Sequence, residues 1–242
     1  MIQTTKNKVT LSKLTFHKLD WLEHGTIWLS IWFFIYPKPY DILFTTLLCI
    51  PLLGLFLNGL SGRPSISSLV TISKDTDGSN NYDVADFIDV AAFFLLVRVI
   101  LDFEFESLYS MILPVTIAFA IMLIILFVSH RSIARSSKNK TWIYSSLFFN
   151  VFLYSFAGTY GANCVYDNSE PTVHHVEVVN KRINTSGKGK DLYYIKVKPW
   201  GHHYDEEEIN VPKSQFDEIQ IGQTVKIDVK EGLFNIPWYY IE

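Results

Sequence analysis

Three groups of residues in this chain are of types that do chemistry. The first is His202-His203, followed by Asp205-Glu206-Glu207-Glu208, with a second pair, His174-His175, upstream. Imidazole and carboxylate together can ligate a divalent metal. Neighbours on a strand point to opposite faces, so each pair offers one imidazole per face. No His-x-x-x-His pattern or cysteine ligand supports them. The expectation is a solvated turn with ordinary surface charge, with a metal site as the sharper alternative.

The second group is the run from Asp75 to Asp86, DTDGSNNYDVAD. A twelve-residue calcium loop takes oxygen ligands at positions 1, 3, 5, 7, 9 and 12 and turns sharply at position 6. Asp75, Asp77, Ser79, Asp83 and Asp86 fall at 1, 3, 5, 9 and 12. Asn80 stands where the turn glycine belongs, and Asp86 replaces the bidentate glutamate. A polar connector rich in turn residues is the simpler reading. Calcium is the one cofactor that the residues suggest; otherwise none is expected.

The third group is Asp89, Arg98 and Asp102, within or beside an apolar segment. Arg98 and Asp102 are spaced i, i+4 and can pair on one helix face. Ionisable residues in membrane helices mark ion or proton pathways. Here they gather near the segment ends, where long side chains snorkel cheaply to the surface, so interfacial anchoring is the expectation. No nucleophile-elbow serine, phosphate-binding glycine loop or paired CxxC motif is present. Cys49 and Cys164 stand alone, with no marker of activation. No catalytic residue is assigned, and a non-enzymatic protein is expected.

The elements that must position these groups are dominated by apolar runs. Met111–Ser129 is nineteen residues without a charge, and 142–162 is another twenty-one. Each is long enough for a helix to cross a hydrocarbon core of roughly 30 Å at about 1.5 Å per residue. The connector between them carries Arg131, Arg135, Lys138 and Lys140 and no acid. Short Lys/Arg-rich loops stay in the cytoplasm, so the first run is expected to go inward and the second outward. Everything after about residue 163 then lies outside the cytoplasm.

Ile42–Ser61 is a further uncharged run of twenty residues, with Pro51 inside it. Two weaker segments, 22–36 and 87–101, are shorter or interrupted by charge. The lysines among the first twenty residues are expected to hold an uncleaved N-terminus inside. The span number must then be odd. Five spans are expected, at 22–36, 42–61, 87–101, 111–129 and 142–162, with three (both weak segments excluded) as the alternative. The protein is thus expected in the bacterial inner membrane, multi-pass, with lipid as its first partner.

Composition changes near Asp167. Residues 1–166 hold 11 acids and 12 bases; residues 167–242 hold 13 acids and 9 bases in a third of the chain. Neither part is basic enough for nucleic acid. The tail also changes period. Tyr193–Lys198 and Thr224–Val229 alternate apolar with polar, as half-buried strands do. Strands are also expected around Val176–Ile183, Glu208–Val211 and Trp238–Ile241, with a helical turn at Lys213–Glu218. Five short strands in this space predict a small all-β barrel of the SH3 or OB kind. The division is therefore 1–166, transmembrane helices, and 167–242, an extracytoplasmic β domain.

Tyr194 through Trp200, Val211-Pro212, Gly222-Gln223-Thr224-Val225 and the ending Gly232–Tyr239 resemble uncharacterised bacterial inner-membrane proteins that carry several spans and a small extracytoplasmic β tail. The resemblance implies location and architecture and carries no activity. Together these readings make the protein an anchor or scaffold whose β domain binds an extracytoplasmic protein or supports a homo-oligomer. The rival is a small transporter or channel component that uses the Asp89/Arg98 helix.

Overall fold

The computed structural model describes residue 22 and residues 24–60, 85–129, 140–185 and 191–241. They fall into two compact units. One holds the described residues up to Asp102 together with Tyr109–Val165; the other joins Phe103–Leu108 to the chain from Tyr166 onward.

The first unit is helical: α1 (His24–Ile35), α2 (Tyr40–Leu60), α3 (Ala85–Asp102), α4 (Leu108–Ser129) and α5 (Lys140–Val165). The stripe Ile88, Ala91, Ala92, Leu95 and Val99 on α3 repeats at helical spacing and is buried. On α5 the buried set is Leu147, Val151, Tyr154, Ala157, Tyr160 and Cys164. Small residues let these backbones come close, as membrane helix interfaces do. Gly161 lies against Phe44 of α2 and Val99 of α3, and Gly158 lies against Leu48.

α4 behaves differently. Its buried side chains, Met111, Val115, Met122 and Leu126, form one narrow stripe. Pro114, Ala118, Phe119, Leu123 and Ile125 are half-buried, Phe119 packing edge-on against Phe148 and Phe152, and Ile112, Leu113, Ile117, Ile121, Ile124 and Phe127 are exposed.

The expectation of five spans is not supported. Among the described helices only α4, over Leu108–Val128, is long and apolar enough to cross a membrane; His24–Ile35 and Tyr40–Phe56 are apolar but shorter. The reason is that absence of charge is not the same as apolarity. The uncharged run 142–162 contains Ser145, Ser146, Asn150, Ser155 and Thr159, each of which is costly to move into hydrocarbon without a partner. α3 carries Asp89 and Arg98 in its body.

The second unit is a curled antiparallel sheet. Its strands are β1 (Glu104–Phe105), β2 (Thr172–Asn184), β3 (Leu192–Val197), β4 (Glu207–Val211), β5 (Thr224–Lys230) and β6 (Trp238–Ile241), in the order β1-β6-β5-β2-β3-β4. β2 is the bent strand. Thr172–Glu177 pair with β5, a register shift follows between Val178 and Asn180, and the remainder pairs with β3. A bulge of this kind sharpens the local twist and lets one strand serve both halves.

The strands and the helix α6 (Lys213–Glu218) lie where the alternation of residues put them. β1 was not expected; Asp102–Glu106 reads in sequence as an acidic loop, yet Glu104 pairs with Tyr239 and Phe105 with Trp238. The core consists of Val176, Val178, Ile195, Val197, Trp200, Ile209, Val211, Phe216, Ile219, Val225, Ile227 and Tyr239. α6 sets Phe216 against Tyr193, and Lys181 Nζ donates to the carbonyls of Phe216 and Ile219, the latter at 2.6 Å. A cation there satisfies carbonyls that the helix end leaves open.

Candidate functional site

The densest meeting of titratable and aromatic side chains is in the β unit, on the connection between β3 and β4. Trp200 and His203 bracket a tight turn. Trp200 N–H donates to the His203 carbonyl at 3.1 Å, and His203 N–H donates back at 2.8 Å. Gly201, at φ +53, takes the left-handed conformation that such a turn needs at its first central position. The turn folds the His203 ring onto the Trp200 indole, with centroids 4.5 Å apart and planes 26° apart.

From there a polar chain crosses the sheet. His203 Nδ1 lies 3.2 Å from Glu207 Oε2. The Tyr239 hydroxyl donates to Glu207 Oε1 at 3.2 Å, and its ring meets Trp200 edge-on at 5.1 Å. Glu104 stands opposite Tyr239 in the β1–β6 register. Burial, and then the Glu207 charge, push the Glu104 carboxyl above its ordinary range. The Tyr239 hydroxyl is pushed up by burial and by the charges of Glu207 and Glu104. The buried Trp200 Nε1 and His203 Nε2 have no hydrogen-bond partner among the described residues.

The chemistry of this chain is bracing. β4 and β6 are not neighbours in the sheet order, and Glu207 and Tyr239 link them through side chains. Sequence reasoning picked out His203 but missed Trp200 and Tyr239 as its partners. The signal was Trp200-Gly201, an aromatic followed by a residue free to adopt positive φ.

The other sequence candidates fare as follows. His202 is exposed while His203 turns inward, and His203 with Glu207 makes two ligating side chains. Among the described residues no group of three His, Cys, Asp or Glu is placed to hold a metal, so the His202/His203 metal site gains no support. Asp75, Asp77, Ser79 and Asp83 of the calcium loop lie outside the described residues, as does the side chain of Asp86.

In the helical unit, Asp89 accepts from Asn150 Nδ2 on α5. Arg98 Nε donates to Asp102 Oδ2 at 2.8 Å, with a second bond from Nη2 to Oδ1. The three ionisable groups are thus engaged with side chains of the unit's own helices.

A second node was not foreseen. Asp167, its side chain 2% exposed, accepts from Ser169 N–H at 2.8 Å, Trp238 Nε1 at 2.8 Å and Gly232 N–H at 3.1 Å. Lys230 Nζ donates to its backbone carbonyl at 3.0 Å. Burial raises this carboxyl, but the bonds from Ser169 and Trp238 and the Lys230 charge outweigh burial and hold it below the usual carboxylate range. Beside it runs a shallow groove of about 370 Å³, lined by Glu106, Thr172, Val229, Lys230, Glu231, Asn235 and Pro237.

A group whose folded pKa is depressed contributes stability above its unfolded value, about 3.9 for Asp, and loses that contribution as pH falls through the folded value. Asp167→Asn is therefore expected to lower the melting temperature of the β unit at pH 7 and to lower it less at pH 2, because the parent loses the same charge as pH falls through the depressed folded value. Thermal melts of the full chain in detergent at both pH values check this. An equal gap at both would remove the charge from the explanation.

No protein-family profile, no curated protein and no solved structure matches this chain.

Proposed function

We propose that the protein is a membrane-anchored, non-enzymatic module that carries its β unit outside the cytoplasm to bind a protein partner or brace a homo-oligomer. The observation that carries the reading is the surface of α4: only 22% of its apolar window is buried. A core helix of a soluble protein would bury most of such a window, and exposed contiguous apolar surface on this scale calls for a lipid or protein cover. Lipid fits a helix whose exposed surface is mostly apolar and whose exposed Thr116 hydroxyl is satisfied by the Ile112 carbonyl.

Topology then follows from connectivity. β1 precedes α4, and β2 follows α5, yet both strands belong to one sheet. If α4 crosses the bilayer, the chain must cross back before β2, and α5 is the segment that does so. Its polar groups find partners within the unit: Asn150 with Asp89, and the Tyr154 hydroxyl with the Leu48 carbonyl. The basic connector of Arg131, Arg135, Lys138 and Lys140 supports a cytoplasmic hairpin tip and an extracytoplasmic β unit, in keeping with the bacterial inner-membrane resemblance.

The β strand order, with a helix before the fourth strand of the tail, favours an OB-type over an SH3-type barrel. The transporter rival is weakened because Asp89, Arg98 and Asp102 are taken up by pairing.

The test is fractionation and protease protection. The protein should stay in membranes through alkaline carbonate, external protease on spheroplasts should reach the β unit, and the 131–140 connector should be protected. Release by carbonate would end the membrane reading. Cleavage in the connector would invert the topology.

A further inference from the structure

The loop between β5 and β6 carries two adjacent large apolar side chains at its tip. Leu233 is 50% and Phe234 43% exposed. Gly232 at φ +77 and Asn235 at φ +56 set the turn, and Asn235 N–H closes it on the Gly232 carbonyl at 3.2 Å. Gly232 and Ile236, at its feet, are buried.

Those feet are tied to two separate parts of the chain. On one side Gly232 N–H donates to Asp167 Oδ2 at 3.1 Å, and Glu231 N–H donates to Ser169 Oγ at 3.2 Å. On the other, Glu106 N–H donates to the Pro237 carbonyl at 3.1 Å. Asp167 comes two residues after Val165, the last of α5, and Glu106 two residues before Leu108, the first of α4. At about 3.8 Å per residue step, each foot is within roughly 8 Å of chain from one end of the α4–α5 hairpin. The loop is therefore bonded, on its two sides, to residues two positions in sequence from the last residue of α5 and from the first of α4.

Resting on the membrane reading above, we infer that the Leu233–Phe234 tip inserts into the headgroup–acyl boundary of the outer leaflet, a third attachment of the β unit to lipid. Leu and Phe are side chains that partition to that depth. Glu106, Lys230 and Glu231 line the groove at the foot of the loop, a mixed set that offers no basic patch for anionic headgroups, so the attachment is apolar in origin. Ile221 is also exposed, but it lies at the other end of β5, about 20 Å away at roughly 3.3 Å per residue, and serves as a control.

The full chain, with Cys49→Ser and Cys164→Ala, is reconstituted in phosphatidylcholine vesicles and spin-labelled at Leu233→Cys, Ile221→Cys or Ile117→Cys. Collision rates are measured with oxygen, which partitions into lipid, and with a water-soluble nickel chelate. The expected result is oxygen-rich, chelate-poor signals at positions 117 and 233, with chelate collisions at 233 several-fold below those at 221. Chelate access at 117 would overturn the membrane reading and this inference with it. If 117 is oxygen-rich but 233 matches 221, the inference alone fails. It also fails if 233 is shielded from both reagents, since protein then covers the tip. Leu233→Ser/Phe234→Ser, which leaves the buried feet intact, should make the β unit more protease-sensitive on vesicles and leave its sensitivity in detergent unchanged. Equal sensitivity on vesicles counts against lipid contact.

Discussion

Replacing Tyr239 with alanine is expected to unfold the β unit while the helical unit stays folded. The ring is 5% exposed and packs edge-on against Trp200. Its hydroxyl holds Glu207 on a strand with which β6 shares no backbone pairing. Cutting a large buried aromatic back to alanine costs roughly 3–5 kcal/mol. That compares with about 5–15 kcal/mol for an ordinary domain, and a unit of this size sits at the low end. The variant also leaves Glu207 with His203 alone. Tyr239→Phe separates the two contributions, because it keeps the ring and removes one hydrogen bond, worth roughly 0.5–1.5 kcal/mol. Limited proteolysis of the full chain in membranes reads both: the alanine variant should lose its resistant β fragment, and the phenylalanine variant should keep most of it. An alanine variant as resistant as the parent would mean that β6 is not holding the core.

The β unit was readable in sequence because a half-buried strand writes its pattern locally. Ile195 and Val197 are buried on one face, as the alternation Tyr193–Lys198 requires. Alternation also puts Trp238 and Tyr239 on opposite faces of the last strand. Tyr239 turns to the main core, while Trp238 packs toward Phe103, Lys230 and Asp167. What could not be read is what depends on distant partners. β1 is two residues long and exists because β6 offers it an edge. Asp167 looks like any acidic residue after a helix until Trp238 and Gly232, some 65 to 71 positions on, reach it. In the helices the failure ran the other way. Freedom from charge is not apolarity: α5 carries polar groups whose partners, Asp89 and the Leu48 carbonyl, are on other helices and cannot be read from its own run. The i, i+4 spacing of Arg98 and Asp102 is legible in the sequence and that pair forms, but a single sequence does not say that Asn150, 61 positions on, answers Asp89.

Adding one methyl at Gly161 should disrupt the helical unit. A Cβ there would press into the Phe44 ring and come within 2.9 Å of Val99 Cγ2. Phe44 and Val99 are both fully buried, so neither can swing away into open space. Forcing an extra carbon into a packed site costs about 1–3 kcal/mol. If these helices pack in lipid, as proposed above, the penalty falls on the main attraction available, since lipid is as apolar as the side chains and close packing is what distinguishes protein contact from lipid contact. The helix propensity gained by Gly→Ala, about 1 kcal/mol in a helix interior, works in the opposite direction and makes Gly25 a matched control. A Cβ at Gly25 meets nothing within 4 Å, so Gly25→Ala should be neutral or slightly stabilising. The measurement is the thermal midpoint of the detergent-solubilised full chain, followed by helical circular dichroism. Gly161→Ala should melt several degrees below the parent, and Gly161→Leu should fail to give a cooperative transition. Phe44→Leu, introduced into the Gly161→Ala background, should recover part of the loss by making room where the methyl intrudes. If Gly161→Ala melts with the parent, or if Phe44→Leu only adds its own cost, then α5 does not rest on α2 and α3 through this glycine.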